Sequence, residues 1–347
     1  MRLYGRHWTR RQLEERIGRI DQVAGARRMA IDGGPGDGAR LIELRSGAGL
    51  ALWVSPDRGM DIERAEFNGH GIHWLAPGGT VHPSHFDHSG IEWLRTAAGG
   101  LLMTCGLRQV GSPCTDAGES LGVHGRAHHT PADEVSVRGE WHGDDYHIEC
   151  AGTLTEARLF GEHLVLRRTI HLVAGENRVA IEDVVENRAF EPTPLMVLYH
   201  FNFGFPLLGE DARLTMPSRR VVPREPGTPL EGHDRWQPPE PAHRERVYYH
   251  EDMIDSPHPR WGSAREAVIH SPGFPAGALR VVLRWDPATL PELVQWRMAG
   301  QGAHVLGIEP ANCRVGGRAA ERAAGRLAFL DPGESRRFRL ELEVLPG

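Results

Sequence analysis

The stretch from Asp133 to Ala189, DEVSVRGEWHGDDYHIECAGTLTEARLFGEHLVLRRTIHLVAGENRVAIEDVVENRA, most constrains the fold of this chain. Short runs alternate apolar with polar side chains, and each ends in a turn signal such as GDD, GE or AGEN. That pattern predicts consecutive antiparallel strands, each half-buried. The same rhythm appears upstream in ARLIELRSG, GLALWVSPDRGMDIERAEFNG and GIHWLAPGG. It returns downstream in LRVVLRWD, HVLGIE and SRRFRLELEVL, the last entered through the turn Asp331 to Ser335. No long helical periodicity interrupts these runs, which argues against parallel βαβ units. The expected fold class is all-β: one large antiparallel β-sandwich with twisted, concave sheets, spanning residues 1–347 as a single domain.

An N-terminal extension, residues 1–38, stands apart from this pattern. Thr9 with Gln12 forms a capping-box signature, and Leu13, Ile17 and Ile20 fall on one helical face, so a helix is expected from about Thr9 to Val23. A Gly-rich turn, Asp32 to Gly38, closes it. The Pro-rich section Val221 to Arg246 could pass for a domain linker. Strand patterns on both sides and Trp236 within it favour an ordered loop at the mouth of a site.

The chain has 347 residues, 40% hydrophobic and 25% charged, an ordinary globular composition. No run approaches the roughly 18 apolar residues of a membrane helix. The basic N-terminus lacks the apolar region of a secretory signal, so a cytoplasmic location is expected by default. A net charge of −6 with no basic stripe argues against nucleic acid as a partner. Cys105, Cys114, Cys150 and Cys313 form no CxxC pair, which favours free thiols over a zinc site or disulfide framework. The 20 His and 9 Trp are more pointed: His moves protons near neutral pH, and Trp offers flat faces for sugar rings.

Candidate chemistry gathers in five places. In LYHFNFGFP, His200 and Asn202 share one side of an aromatic strand if alternation holds; a hydrogen-bonded core histidine is the competing reading. In GIEPAN, which also contains Asn312, Glu309 closes an apolar run, where partial desolvation raises a carboxyl pKa towards that of a general base. The segment Val123 to Glu134 carries His124, Arg126, His128, His129, Asp133 and Glu134. With Gly125 and Pro131 it reads as a loop with no regular ligand spacing, so no metal is assigned. In SPDRGMD, Arg58 and Asp61 flank a tight turn and are candidate hydroxyl ligands, against a reading as turn chemistry. In EWLRTAAGGLLMTCG, Gly99 and Gly100 allow close backbone approach, with Trp93 and Arg95 near the pocket. Gln295 to Arg297 and His250 are further candidates for substrate contact. No nucleophile elbow, Walker loop or dinucleotide fingerprint appears, so no nucleotide cofactor is expected.

The motifs HGR, YHFNF and GIEPAN, in that order and in a shared β context, resemble the aldose 1-epimerase (galactose mutarotase-like) superfamily. The likeness is closest to a bacterial branch carried as a domain of unknown function and covers most of residues 40–345. It implies a sugar-binding role for His124, with His200 as general acid and Glu309 as general base. It further implies an isomerase acting on a sugar, without cofactor or metal. Beyond the resemblance, the residues themselves offer Arg126, Arg58, Asp61, Asn202, His250, Gln295 and Asn312 as supporting ligands, the RGMD turn being a feature of the branch rather than of mutarotases. Two rivals share the same site: a cofactor-independent aldose–ketose isomerase or carbon epimerase, and a non-catalytic carbohydrate-binding protein. A homodimer is a further expectation. The mutarotase aspartate that binds sugar hydroxyls has no clear counterpart, although His250 and Asp252 lie in the corresponding region.

Overall fold

The structure, a computed structural model, describes all 347 residues. Antiparallel pairing dominates, as the turn-punctuated alternation requires. Arg178–Asn187 alternates strictly between buried and half-buried residues, so one face meets the core and the other meets water. It belongs to a nine-stranded sheet whose first four neighbours are consecutive: Asp133–His142, Asp145–Ala157, His163–Val173 and Arg178–Asn187. The C-terminal strand Ser335–Pro346 follows, then Leu279–Trp285 and Gly262–Ser271.

A seven-stranded sheet carries the site. Its order is Ser218–Pro223, Arg246–Met253, Glu292–Gly300, Ala303–Ala311, Thr193–Phe203 and Ala328–Leu330, with Leu102–Leu107 also beside Thr193–Phe203. A five-stranded sheet from residues 25–71 completes the architecture. All three contribute to one apolar core of 57 buried residues. Thr193–Phe203 is buried on both faces, which explains its near-continuous apolar composition. Val197, Tyr199, Phe201 and Phe203 enter the large core, while Met196 and Leu198 enter a second cluster of 10 residues on the opposite face.

The N-terminal helix is shorter than its periodicity predicts. Thr9 and Gln12 form the expected capping box, but the α-helix spans only Arg10–Glu14, and Ile20–Gln22 is a separate 3-10 turn. Gly18, a poor helix former, lies between them. A second short helix, Arg318–Ala323, was too brief to register as a periodic pattern.

Candidate active site

The register of two strands brings the central pair together. Leu198 faces Ala311 and Phe201 faces Ile308 across the antiparallel ladder, and the same register sets His200 across from Glu309. Side chains directly opposite in this way point to one face and touch. His200 Nε2 and Glu309 Oε1 are 3.2 Å apart, and both residues are buried. Glu309 Oε1 and His200 Nδ1 have no hydrogen-bond partner among the protein groups. Buried polar atoms are normally satisfied, so this is a place for a polar ligand. Gly307, on the same face, leaves the room required: a Cβ there would lie 2.5 Å from Glu309 Oε1 and 3.0 Å from Trp296 Cβ.

His200 and Glu309 line a cavity of about 390 Å³. Its walls include Trp74, Trp93, Trp296, Met103, Val123 and His124, with Arg224 and Glu245 among them. That volume falls within the usual range for small-molecule sites, and the tryptophan faces suit a sugar ring. The Trp296 ring stands 5.5 Å from that of His200, and the His124 ring 6.0 Å from it. Glu245 accepts hydrogen bonds from Trp296 Nε1 at 2.9 Å and from Arg224 at 3.0 Å. Arg224 and Glu245 bracket the Pro-rich segment, so that segment does reach the cavity.

Burial governs the protonation of the site. Desolvation pushes the Glu309 carboxyl well above the usual range; Arg224 offsets part of this and Glu245 adds to it. Burial, with His124 nearby, brings His200 down to about 3, Asn202 acting in the opposite direction. Burial also lowers His124 to about 4. Its Nδ1 accepts from the Gly111 N–H at 3.3 Å, so a neutral His124 carries its proton on Nε2 and can donate. The local backbone reflects this tie: His124 has φ 56 and is held by Gly106 N and Gly111 O on either side.

Trp93 and Trp296 thus line the cavity as the sequence suggested, but the other expected ligands lie outside it. Arg58 and Asp61 belong to a buried polar network. Arg58 donates to the carbonyls of Val81 and Thr96 and lies 2.8 Å from His128 Nε2. Asp61 holds His128 Nδ1 at 2.7 Å, Thr104 Oγ1 at 2.6 Å and Arg168 at 2.7 Å. Arg168 also pairs with Asp183, which accepts from Tyr199 Oη at 2.7 Å. Burial opposes charge on Arg168, but Asp183 and Asp61 outweigh it and raise its pKa. This node ties together all three sheets, and through Tyr199 it braces the back of the His200 strand. Its front reaches the cavity wall: the Trp93 ring stands 5.6 Å from His128 and 5.2 Å from His124.

His250 and Gln295 bond to each other at 3.1 Å, and Gln295 donates to the His233 carbonyl. Alternation along Glu292–Gly300 turns Gln295 away from the face that carries Val294 and Trp296. Asn312 clamps two strands, accepting from Val197 N–H at 2.7 Å and donating to Leu195 O at 2.9 Å. Asn202 donates to the Gly100 and His200 carbonyls. Arg126 is exposed and lines a different, polar cavity of about 460 Å³. The histidines of residues 123–134 diverge: His124 faces the tryptophan cavity, while His128 and His129 turn to Arg58. Gly100 acts as its sequence implies, since a Cβ there would lie 2.9 Å from Glu63 Cα. Trp74, Met103, Arg224 and Glu245 were not singled out in the sequence. For the last two the only signal is their place in the Pro-rich segment expected at the mouth of a site.

Solved structures share this architecture. A Klebsiella pneumoniae protein provisionally named an aldose 1-epimerase is 26% identical, with a TM-score of 0.83 over 94% of this chain and 86% of that one. A galactose mutarotase-like protein from Clostridium acetobutylicum is 15% identical, with a TM-score of 0.61 over 94% of this chain and 100% of that one. Galactose 1-epimerase from Lactobacillus acidophilus is 15% identical, with a TM-score of 0.55 over 93% and 99%. The fold is thus the galactose mutarotase-like β-sandwich. No curated protein matches the sequence. A family model described as a domain of unknown function, DUF4432, matches residues 36–344, and the chain belongs to that family.

Proposed function

We propose that this chain is an isomerase of the aldose 1-epimerase kind, acting by acid/base chemistry at the anomeric centre of a free sugar or sugar derivative. The observation that supports it is the His200–Glu309 pair, 3.2 Å apart on the floor of a cavity walled by tryptophan. The pair holds one proton between its members; burial favours it on Glu309, and it passes across the 3.2 Å contact to His200 before reaction, leaving Glu309 ionised. Glu309 takes the proton of the anomeric hydroxyl while His200 delivers one to the ring oxygen. The ring opens, the C1–C2 bond rotates, and closure on the other face reverses the two transfers. His124 Nε2–H donates to a sugar hydroxyl, and Glu245 accepts from another. As drawn, the reaction uses neither metal nor organic cofactor.

The test is anomer interconversion across a panel of sugars, followed by polarimetry or NMR exchange. Glu309→Gln is expected to reduce turnover by about 10²- to 10⁴-fold while sugar binding persists. No turnover of any sugar by the wild type, with binding unchanged in the variant, would instead identify a carbohydrate-binding protein.

A second reading has its own support. His200 and His124 are depressed to about 3 and about 4, so both are neutral imidazoles beside a carboxyl group. Such a set can polarise a carbonyl through an imidazole N–H while Glu309, once ionised, moves a carbon-bound proton, as aldose–ketose isomerisation requires. Reaction in D2O separates the two: deuterium at carbon establishes the second, and anomer exchange without it the first.

A further inference from the structure

We propose that the chain forms a two-fold homodimer through the hairpin tips that carry Phe160 and Phe190. Phe160 is 98% exposed, Phe190 95% and Leu159 82%. Leu159 and Phe160 lie in the turn joining Asp145–Ala157 to His163–Val173, and Phe190 lies in the turn after Arg178–Asn187. The register, with Ala157 opposite His163 and Leu164 opposite Asn187, sets both turns at one end of the nine-stranded sheet. Phe160 and Phe190 flank one shallow depression of about 410 Å³.

Scattered apolar residues on a surface need no explanation, but two phenylalanines and a leucine this exposed at one spot do. Tight turns ordinarily take Gly, Asn or Asp. Phe160 has φ 61, in the left-handed region that disfavours bulky side chains, so its turn accepts a conformational penalty to present an aromatic ring.

The rim identifies the occupant. Arg158 and Glu162 on its rim pair with each other at 3.2 Å, while Arg188, exposed beside its own Glu186, and Glu191, with no ion pair in its own chain, leave one cation and one carboxylate to face a partner. A patch with balanced charge can meet its own copy about a two-fold axis, each cation facing a carboxylate. The area is sufficient. Four phenylalanines and two leucines from a pair of copies bury on the order of 1,000 Å², about what a specific interface requires. None of the residues around the depression lines the His200–Glu309 cavity, so the assembly is separable from the proposed chemistry.

Sedimentation velocity on the full chain tests this. The wild type is expected to sediment as a dimer of 38.5 kDa chains at micromolar loading. Phe160→Asp combined with Phe190→Asp is expected to sediment as a monomer with an unchanged circular dichroism spectrum, since both side chains are exposed. Either substitution alone should raise the dissociation constant at least about 30-fold. Arg188→Glu, which leaves the aromatic residues intact, should weaken the dimer at low salt and recover in high salt. A monomeric wild type would overturn the proposal and point to a different protein or surface as the occupant. A dimer that survives both the aspartate pair and Arg188→Glu would place the interface elsewhere and equally overturn it.

Discussion

One proton shared between Glu309 and His200 sets the pH behaviour expected of the site. Glu309 is raised well above the ordinary carboxyl value and His200 is lowered to about 3, so the pair holds one proton across neutrality. Below the lower limit it carries two protons, and no base is available. Above the upper limit it carries none, and no acid is available. A bell-shaped rate profile with a broad plateau is therefore expected, with both limbs belonging to the pair. Glu309→Gln leaves only the His200 titration, so the bell should collapse to a single limb, which a profile on residual activity would reveal. Gly307 is the other residue on which the site depends. Gly307→Ala places a methyl group against Glu309, Trp296 and His200, and is expected to remove most activity. The associated loss of stability should be about 1 to 3 kcal/mol, measured by urea unfolding beside the activity assay.

At the scale of strands and loops, the polar node around Arg168 explains why RGMD lies where it does. Arg168 and Asp183 are both fully buried, and Asp61 is nearly so. Removing one partner of such a pair leaves an uncompensated charge inside the protein. Arg168→Met strands two carboxylates and is expected to destabilise the chain by about 3 to 5 kcal/mol, read as a lower urea midpoint. Alternation makes His200 and Asn202 co-facial from the sequence, and the turn signals place most strands correctly. The destinations of Arg58 and Asp61 were not legible. A turn rich in charge looks alike whether it meets solvent or partners on other sheets, and those partners, Thr104 and Arg168, lie 43 and 107 residues from Asp61 along the chain. The same holds for Gln295 and Trp296. They are adjacent, so one faces the cavity and the other cannot, but which one depends on the side of the sheet that is hollow.

For the whole molecule, the buried neutral histidines determine acid stability. His200 and His250 have folded pKa values of about 3 and about 4, against 6.5 in an unfolded chain. As pH falls through 6.5 the unfolded chain gains protons that the folded one refuses, so stability declines with falling pH. The decline ends only when the folded groups also protonate, near pH 4 for His250 and near pH 3 for His200. Each such histidine is expected to contribute about 2 kcal/mol of lost stability between pH 7 and pH 5. Urea unfolding at the two pH values checks this, and His250→Gln should reduce the difference.

The sequence by itself determined the all-β antiparallel class, the capped start of the N-terminal helix and the candidacy of His200 and Glu309. Those properties follow from side-chain periodicity, turn chemistry and the order of short motifs. Only the tertiary structure decided that His200 lies opposite Glu309, and that Arg224 and Glu245 reach their cavity. It also decided that Arg58, Asp61, His250 and Gln295 are engaged elsewhere. A strand's alternation says which residues share a face, but register and sheet packing say what that face meets. Those are settled by contacts between segments far apart in the chain, each chosen against the alternatives by how well it buries its neighbours.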